Sequence, residues 1–186
     1  MITATDYFDN LIENCLCAKQ VKPHPAYETR LSLSLNGDYN FDADSNMKSL
    51  LEDLDKLKLA GKSLSFVYII ELVGEGDSRE SNEKDRVFID FSIFRKESDR
   101  KCSKINKPSN CLYVGSSVSS ISGRLKQHLG SGNRQTYSLH LSHWFRGKLS
   151  LTVKGYDVSK DILQLIEDSF WHELVPAFGK SGANNK

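Results

Sequence analysis

The chain has 186 residues, of which 39% are hydrophobic and 26% are charged, a composition that excludes an intrinsically disordered chain. No apolar run approaches the ~20 residues that a membrane span needs and the first residues show no signal-peptide pattern, so we expect a cytoplasmic protein. The formal net charge is only +1, but residues 111–186 hold nine Lys and Arg against five Asp and Glu, a surplus that permits a phosphate-bearing partner.

The first third of the chain predicts a helix, a β-hairpin and a second helix. Apolar side chains recur at helical spacing over residues 4–18 and again over residues 45–60. Between them, leucines alternate with serines and lead into Asn36-Gly37, a strong short-range signal for a hairpin turn. We therefore predict an N-terminal accessory region over residues 1–62, separate from the domain that follows it.

The rest of the chain predicts one domain over residues 63–186. A β-branched and aromatic run over residues 63–72 is typical of a buried strand. A charged insertion over residues 73–109 follows, and its apolar run over residues 87–94 predicts an extra strand at the edge of the sheet.

The remaining predicted elements, in chain order, are a strand over 110–115, a helix over 119–129, a short helix over 137–146, a strand over 148–156 and a helix over 159–174. Strands and helices in this order predict a small α/β domain of the α+β kind, with one sheet and helices packed on it.

Two cationic residues share one face of the helix that follows Gly115. Arg124 and His128 lie one turn apart, at the edge of the apolar stripe. The turn before them consists mostly of Gly and Ser, so it offers hydroxyl and N–H groups to an anion and leaves room for a bulky ligand. The residues alone are compatible with a phosphate site and also with an ordinary surface Arg beside a half-buried His.

One carboxylate of the last predicted helix has a position that suits a metal ion. Glu167 lies at the rim of the apolar stripe to which Ile166 and Phe170 belong, whereas Asp168 is expected to point outward. Such a carboxylate can be a solvated charge, or it can hold a hard divalent cation together with waters and substrate phosphates. Both interpretations stay open at this point.

The chain carries these residues in a specific order. The order is Phe66-Val67-Tyr68, then Tyr113-Val114-Gly115, then Arg124 eleven residues after Tyr113, then His128 four residues later, then Glu167 on the last long helix and an Asn near position 184. This ordered set resembles the GIY-YIG nuclease superfamily, and the resemblance covers residues 64–186, about two-thirds of the chain. The first motif lacks its Gly, and the insertion separates two Tyr motifs that are close together in the family.

The resemblance implies a small three-stranded antiparallel sheet flanked by helices and an endonuclease that hydrolyses phosphodiester bonds. Arg124 would bind the scissile phosphate, and Glu167 would be the single protein ligand of one Mg²⁺ or Mn²⁺. Tyr68 would be the general base, Tyr113 would position the attacking water, and His128 would orient that water or relay a proton.

The resemblance also suggests residues that contact the nucleic acid. Gly115, Ser116, Lys126 and Lys180 are the candidates for this contact. Asn184 is taken as the Asn of the site, although Asn185 lies equally near the expected family position.

DNA is the expected partner, RNA is an alternative substrate, and self-association into a homo-oligomer is left open. A restriction-type or mobile-element setting is the preferred one. A second interpretation is a module of the same fold that has lost catalysis and holds nucleic acid or a protein. A third, in which a generic α/β domain resembles the family by chance, is the least compatible with the joint spacing.

Overall fold

One antiparallel sheet organises the fold. The structure, a computed structural model, describes residues 4–36, 39–73 and 80–182. Within these ranges the elements are α1 Ala4–Val21, β1 Tyr27–Leu35, α2 Ser45–Leu59, β2 Ser65–Leu72, α3 Glu80–Glu97, β3 Cys111–Ser117, α4 Ile121–Leu129, a 3-10 turn Leu141–His143, β4 Gly147–Tyr156 and α5 Lys160–Leu174. The strands lie in the order β1-β4-β2-β3, and every neighbouring pair is antiparallel. The α+β class expected from the sequence is confirmed.

Helices cover both faces of this sheet, because successive residues of a strand point to opposite sides. Val67 and Ile69 of β2 pack in a cluster with Ile166 of α5. Tyr68 and Ile70 belong to the larger cluster on the other side, to which α2, α3 and α4 contribute. Fully burying one such aliphatic side chain contributes roughly 1.5–3 kcal/mol, so β2 is fixed from both faces.

The two helices that carry predicted site residues begin at serine caps. The Ser120 hydroxyl accepts from the Gly123 N–H at 3.2 Å, and the Ser159 hydroxyl accepts from the Ile162 N–H at 3.4 Å. Helix α4 ends at Gly130, whose φ of 108° lies in the left-handed region that favours glycine. Both predicted helices are confirmed, with ends within two residues of those expected.

The insertion contributes a helix, so the prediction of an edge strand over residues 87–94 is wrong. Val87 and Phe91 lie one turn apart on α3 and are 2% and 0% exposed, whereas Ile89 between them is 56% exposed. The apolar residues of this segment fit helical as well as alternating spacing. The helix forms because Phe91 packs against Phe178, with ring centroids 4.2 Å apart. Phe178 belongs to residues 175–182, which follow the last helix and are called here the C-terminal segment.

The fourth strand of the sheet comes from the N-terminal region. β1 pairs with β4 over its whole length, with Leu31 opposite Leu151 at the centre. The hairpin predicted at Asn36-Gly37 is wrong, because residues 41–43 form a turn where its second strand would run (Gly37 itself lies outside the described residues). The alternating leucines of β1 therefore bury their side chains beside a strand that is distant in sequence.

Helix α1 is confirmed, but much of its apolar stripe is exposed. Its last turns pack on α5, where Ala18 is buried and the Lys22 ammonium donates to Ser169 Oγ at 2.9 Å. The stripe on its earlier turns is between 40% and 61% exposed, at Tyr7, Phe8, Leu11, Ile12 and Leu16. Among the described residues, no helix combines the length and the apolar character that crossing a bilayer requires.

The end of the insertion, residues 101–106, is tied to two later segments of the chain. The Ser103 N–H donates to the Ser138 carbonyl at 3.0 Å, which fixes the insertion to the loop before the 3-10 turn. This loop was predicted as a helix over residues 137–146, and only the 3-10 turn forms. The Asn106 N–H donates to the Ala177 carbonyl at 2.9 Å, which fixes the insertion to the C-terminal segment. The Phe178 N–H donates to the Leu112 carbonyl at 3.0 Å, so this segment also runs along the outer edge of β3.

Candidate active site

A cavity of about 270 Å³ collects most of the residues that the motifs single out. Its lining includes Tyr68 from β2, Tyr113, Gly115 and Ser116 from β3, Arg124 from α4, Glu167 from α5 and Gly182 from the C-terminal segment. The register of the sheet accounts for part of this convergence, because β2 and β3 pair with Tyr68 opposite Gly115. The cavity is therefore positioned by the sheet and completed by the two capped helices.

Three aromatic rings pack together at the base of the cavity. The ring centroids of Tyr68 and Tyr113 lie 6.1 Å apart, and those of Tyr113 and His128 lie 4.1 Å apart. Tyr68 Oη and His128 Nε2 are 3.1 Å apart, which is a hydrogen bond between two buried groups. His128 thus contacts the site through Tyr68.

Burial keeps both members of this pair neutral. Desolvation, followed by the neighbouring Tyr113, raises the pKa of Tyr68 well above its ordinary value, although Arg124 opposes the shift. Desolvation, with help from the Arg124 charge, lowers the pKa of His128 to about 3. Nδ1 of His128 has no hydrogen-bond partner among the described residues. A neutral imidazole with its hydrogen on Nδ1 leaves Nε2 free to accept from the Tyr68 hydroxyl.

Gly115 makes room for Tyr68. A Cβ atom at this position would lie 2.6 Å from Tyr68 Oη and 2.8 Å from Tyr113 Cε1, both closer than real Cβ contacts come. The sequence suggested that this glycine gives space to a ligand, and it missed the role of fixing the phenol. Any larger residue would displace the Tyr68 hydroxyl from His128 or from the cavity.

Glu167 is a half-buried carboxylate on the α5 side of the cavity. Ser116 Oγ donates to its Oε2 at 2.5 Å, which orients the carboxylate. Desolvation raises the pKa of Glu167 to about 7, although the Ser116 hydrogen bond and Arg124 act in the opposite direction. The site therefore disfavours an isolated negative charge at Glu167, and a bound cation would offset that cost.

The donor set at Glu167 fits a hard cation such as Mg²⁺. Carboxylate and hydroxyl oxygens, waters and phosphate oxygens are its preferred ligands. Within the described ranges, no group of three or more His, Cys, Asp or Glu residues could hold a metal ion. A cation here would have Glu167 as its carboxylate ligand and would take further ligands from water and substrate.

Arg124 brings a positive charge to the cavity that Glu167 lines. Its side chain is exposed and lines the cavity, and it makes no ion pair with any residue that the structure describes. Its charge reaches Tyr68, His128 and Glu167, since it contributes to the pKa shift of each. The guanidinium is available to an anion that enters the cavity.

Some predicted residues do not join this cavity. Lys126 lies on another side of α4, where its ammonium binds Asp42 Oδ1 at 2.7 Å and sits over Phe41. Lys180 lines a neighbouring cavity. Asn184 and Asn185 lie outside the described residues.

Sequence reasoning missed Lys160 and Gln164, two polar side chains of α5 that line the cavity, and it misjudged Asp168. Lys160 and Gln164 line the cavity, and their spacing of seven and three residues before Glu167 on one helix could have indicated it. Asp168 was expected to point outward. That expectation is wrong, because its Oδ1 accepts from the Gly182 N–H at 2.8 Å and from Gln164 Nε2 at 3.2 Å. Asp168 therefore holds the C-terminal segment against the cavity.

No family model, no curated protein and no solved structure matches this chain. The function is accordingly inferred from the ordered motifs and from the geometry of the cavity.

Proposed function

We propose that the protein is a metal-dependent endonuclease of the GIY-YIG type that hydrolyses phosphodiester bonds in DNA. The convergence of Tyr68, Tyr113, Arg124 and Glu167 on one cavity, with His128 bonded to Tyr68, is the observation that supports this proposal. These residues come from β2, β3, α4 and α5. A chance resemblance of sequence gives no reason for their side chains to meet.

The substrate phosphate is proposed to bind at Arg124. The guanidinium donates to the non-bridging oxygens and offsets the negative charge that develops in the transition state. Lys160 lines the same cavity and adds positive charge from the first turn of α5. This arrangement orients one phosphodiester against Tyr68 and Glu167.

Tyr68 and His128 are proposed to activate water together. The Tyr68 hydroxyl accepts a proton from the attacking water while it passes its own proton to His128 Nε2, so no free phenolate has to form. A bound phosphate offsets the Arg124 charge that helps to lower the pKa of His128, which makes the imidazole a better acceptor in the complex. Tyr113 packs on both rings and holds them in place.

Glu167 is proposed to hold one Mg²⁺ or Mn²⁺. When bound, such an ion supplies Lewis-acid stabilisation of the phosphate and of the leaving oxygen. Ser116 fixes the carboxylate by donating to Oε2, and within the described residues Oε1 accepts no hydrogen bond. Glu167 thus offers one oriented oxygen to a cation.

Glu167→Gln tests the proposal, because it keeps the shape of the side chain and removes its charge. We expect a near-native melting temperature, DNA binding largely retained, and plasmid cleavage in Mg²⁺ reduced at least about a hundredfold. Chelation should abolish cleavage by the parent. Asp161→Asn, at an exposed carboxylate of the same helix, is the matched control and should cut normally. Asp168→Asn is a poorer control because Asp168 binds Gly182.

The result decides between the two interpretations that the sequence left open. Equal cleavage by Glu167→Gln and by the parent, under matched Mg²⁺, would contradict the assignment of Glu167. A parent that binds DNA but does not cut it in Mg²⁺ or Mn²⁺ would identify a binding module of the same fold.

A further inference from the structure

A second cavity, of about 260 Å³, lies beside the candidate active site and shares Tyr113 with it. Its lining includes Arg95 and Lys104 from the insertion, Tyr137 from the loop before the 3-10 turn, and Lys180 from the C-terminal segment. We call it the insertion cavity. No carboxylate of the described residues lines it. Three cations around one cavity attract a phosphate.

The cations of the insertion cavity are not neutralised by neighbours. Elsewhere on the surface, Lys126 and Arg134 pair with carboxylates. Arg95, Lys104 and Lys180 are exposed, and none makes an ion pair with any residue that the structure describes. Their charge is therefore available to a ligand.

Tyr137 adds a flat apolar surface to this positive cavity. It is 55% exposed, although large aromatic side chains are usually more buried. The Lys101 ammonium lies over one face of its ring, 5.7 Å from the centroid, so a base would stack on the other face or displace that ammonium. Exposed aromatic rings beside cations are the platform on which single-stranded nucleic acids stack their bases. Its volume of about 260 Å³ is close to the lower end of the ~300–1,000 Å³ typical of pockets for drug-sized ligands, so its size suits one nucleotide and no larger molecule.

The floor of the insertion cavity is rigid. Cys102 and Ser103 are buried there, and the backbone of Ser103 is bonded to Ser138, next to Tyr137. Burial raises the pKa of the Cys102 thiol, although Arg95 and Arg100 oppose the shift, so the floor is uncharged. Little ordering is then needed when a ligand binds, which favours affinity.

The two cavities form one path along the C-terminal segment. Gly179 packs on Tyr113, because a Cβ there would lie 2.9 Å from Tyr113 Cε2. Lys180 lines the insertion cavity, and Gly182, two residues later, lines the candidate active site. A strand whose phosphate lies at Arg124 would meet the insertion cavity at an adjacent nucleotide.

We propose that the insertion cavity is a subsite for one nucleotide next to the scissile phosphate, with its base on Tyr137 and its phosphate among Arg95, Lys104 and Lys180. This inference rests on the proposed nuclease function and assigns to the insertion a share of substrate binding. The subsite positions the strand and takes no part in the proton transfers.

The first experiment measures binding without cleavage. All variants are made in the Glu167→Gln background, and their affinity for a fluorescein-labelled DNA duplex and for the same single strand is titrated at several salt concentrations. For the duplex, we expect Arg95→Ala with Lys104→Ala to make the negative slope of log K against log salt shallower by about one to two. Lys48→Ala, at an exposed lysine of α2, is the matched control and should leave the slope nearly unchanged.

The second experiment isolates the stacked base. We expect Tyr137→Ala to weaken single-strand binding about tenfold with little change in salt slope, and Tyr137→Phe to bind like its parent. An abasic nucleotide placed at successive positions of the strand should weaken binding at one position in the parent. With Tyr137→Ala, the abasic nucleotide at that position should cause no further loss of affinity, because the base and the ring form one shared interaction.

The last experiment measures cleavage kinetics of the same variants in a protein that keeps Glu167. The Tyr137→Ala and Arg95→Ala/Lys104→Ala variants should raise KM more than they lower kcat, unlike a loss at Glu167. Unchanged affinity, salt slope and KM in both variants would overturn the subsite while leaving the nuclease assignment intact. A parent that neither binds nor cuts nucleic acid would overturn both proposals, and that result is seen before any cavity variant is made.

Discussion

Tyr68 and His128 form a buried phenol–imidazole pair in which neither group can gain or lose a proton easily alone. Burial raises the pKa of Tyr68 and lowers that of His128 to about 3, so each resists becoming charged. Their hydrogen bond of 3.1 Å allows a concerted transfer, in which Tyr68 Oη takes a proton from water while it gives its own proton to His128 Nε2. The pair should then behave as one functional unit.

A double-mutant cycle tests whether they act together. We expect Tyr68→Phe and His128→Phe each to lower the single-turnover cleavage rate strongly, and the double variant to be no slower than the slower single variant, because one transfer is lost only once. Each single change also leaves a buried polar atom without its partner, which costs about 1–3 kcal/mol of unfolding free energy, and the double change should recover part of that. Rate losses that multiply in the double variant would contradict a relay.

Gly115→Ala tests the space under Tyr68. The added methyl group would overlap the Tyr68 hydroxyl, so we expect a destabilisation of about 1–3 kcal/mol and a large loss of cleavage. Gly155→Ala on β4 is the control, because its methyl group would meet the side-chain ends of Leu64 and Phe66 at 3.0 Å, away from the cavity. Thermal melts and cleavage rates of both variants decide the matter, and comparable cleavage by the two would refute the role of Gly115.

Among the elements, α4 and α5 were predictable and α3 was not, for a physical reason. Ser120 and Ser159 cap helices whose apolar stripes are regular, so local signals and tertiary packing agree. In α3, β-branched and aromatic residues favour a strand locally. The helix is selected by the contact of Phe91 with Phe178, which lies far away in sequence.

Two substitutions on α3 test this account. Phe91→Ala should lower the unfolding free energy by about 3–5 kcal/mol, because the ring is fully buried against Phe178 and Trp144. Ile89→Ala, two residues earlier on the exposed side of the helix, should change it by no more than about 0.5 kcal/mol. Chemical denaturation of both variants provides the measurement, and a large effect of Ile89→Ala would instead indicate a strand-like arrangement.

The exposed stripe of α1 makes a different prediction. Phe8→Ser combined with Ile12→Ser should leave the melting temperature of a single chain within a few degrees of the parent, because both side chains are more than half exposed. Light scattering on the same variants tests the self-association that the sequence left open, against the 21.0 kDa mass of one chain. A large drop in the melting temperature of the double variant relative to the parent, with both measured at a concentration where they are monomeric, would show that the stripe is packed within its own chain.

For the whole molecule, the order of the motifs predicted part of the set of residues that line the cavity. Features that depend on long-range contacts could not be predicted. Tyr68, Arg124 and Glu167 meet because sheet and helices bring distant positions together, an arrangement that the family resemblance implied. The pairing of β1 with β4 and the bond from Asp168 to Gly182 have no local sequence signal. Both depend on segments that approach each other only in the finished fold.

Truncation tests how far the N-terminal region is separable. A chain that starts at residue 22 keeps β1 and should fold with a lowered melting temperature, because it loses the α1 cover of α5. A chain that starts at residue 61 loses β1 and α2 and exposes the paired edge of β4, so we expect aggregation or loss of cooperative melting. Parent-like melting and cleavage by the shorter chain would instead support the accessory role expected from sequence.

The position of β4 also determines how late the sheet can be completed during synthesis in the cell. β4 is the last strand of the described chain, yet it lies inside the sheet and pairs with β1 on one side and β2 on the other. Leu35 and Tyr156 are 121 positions apart, so at a synthesis rate of ~5–20 residues per second β1 waits roughly 6–24 s for its partner. During that interval its leucines have no strand to cover them, and slower translation between the two strands lengthens their exposure to chaperones and to aggregation.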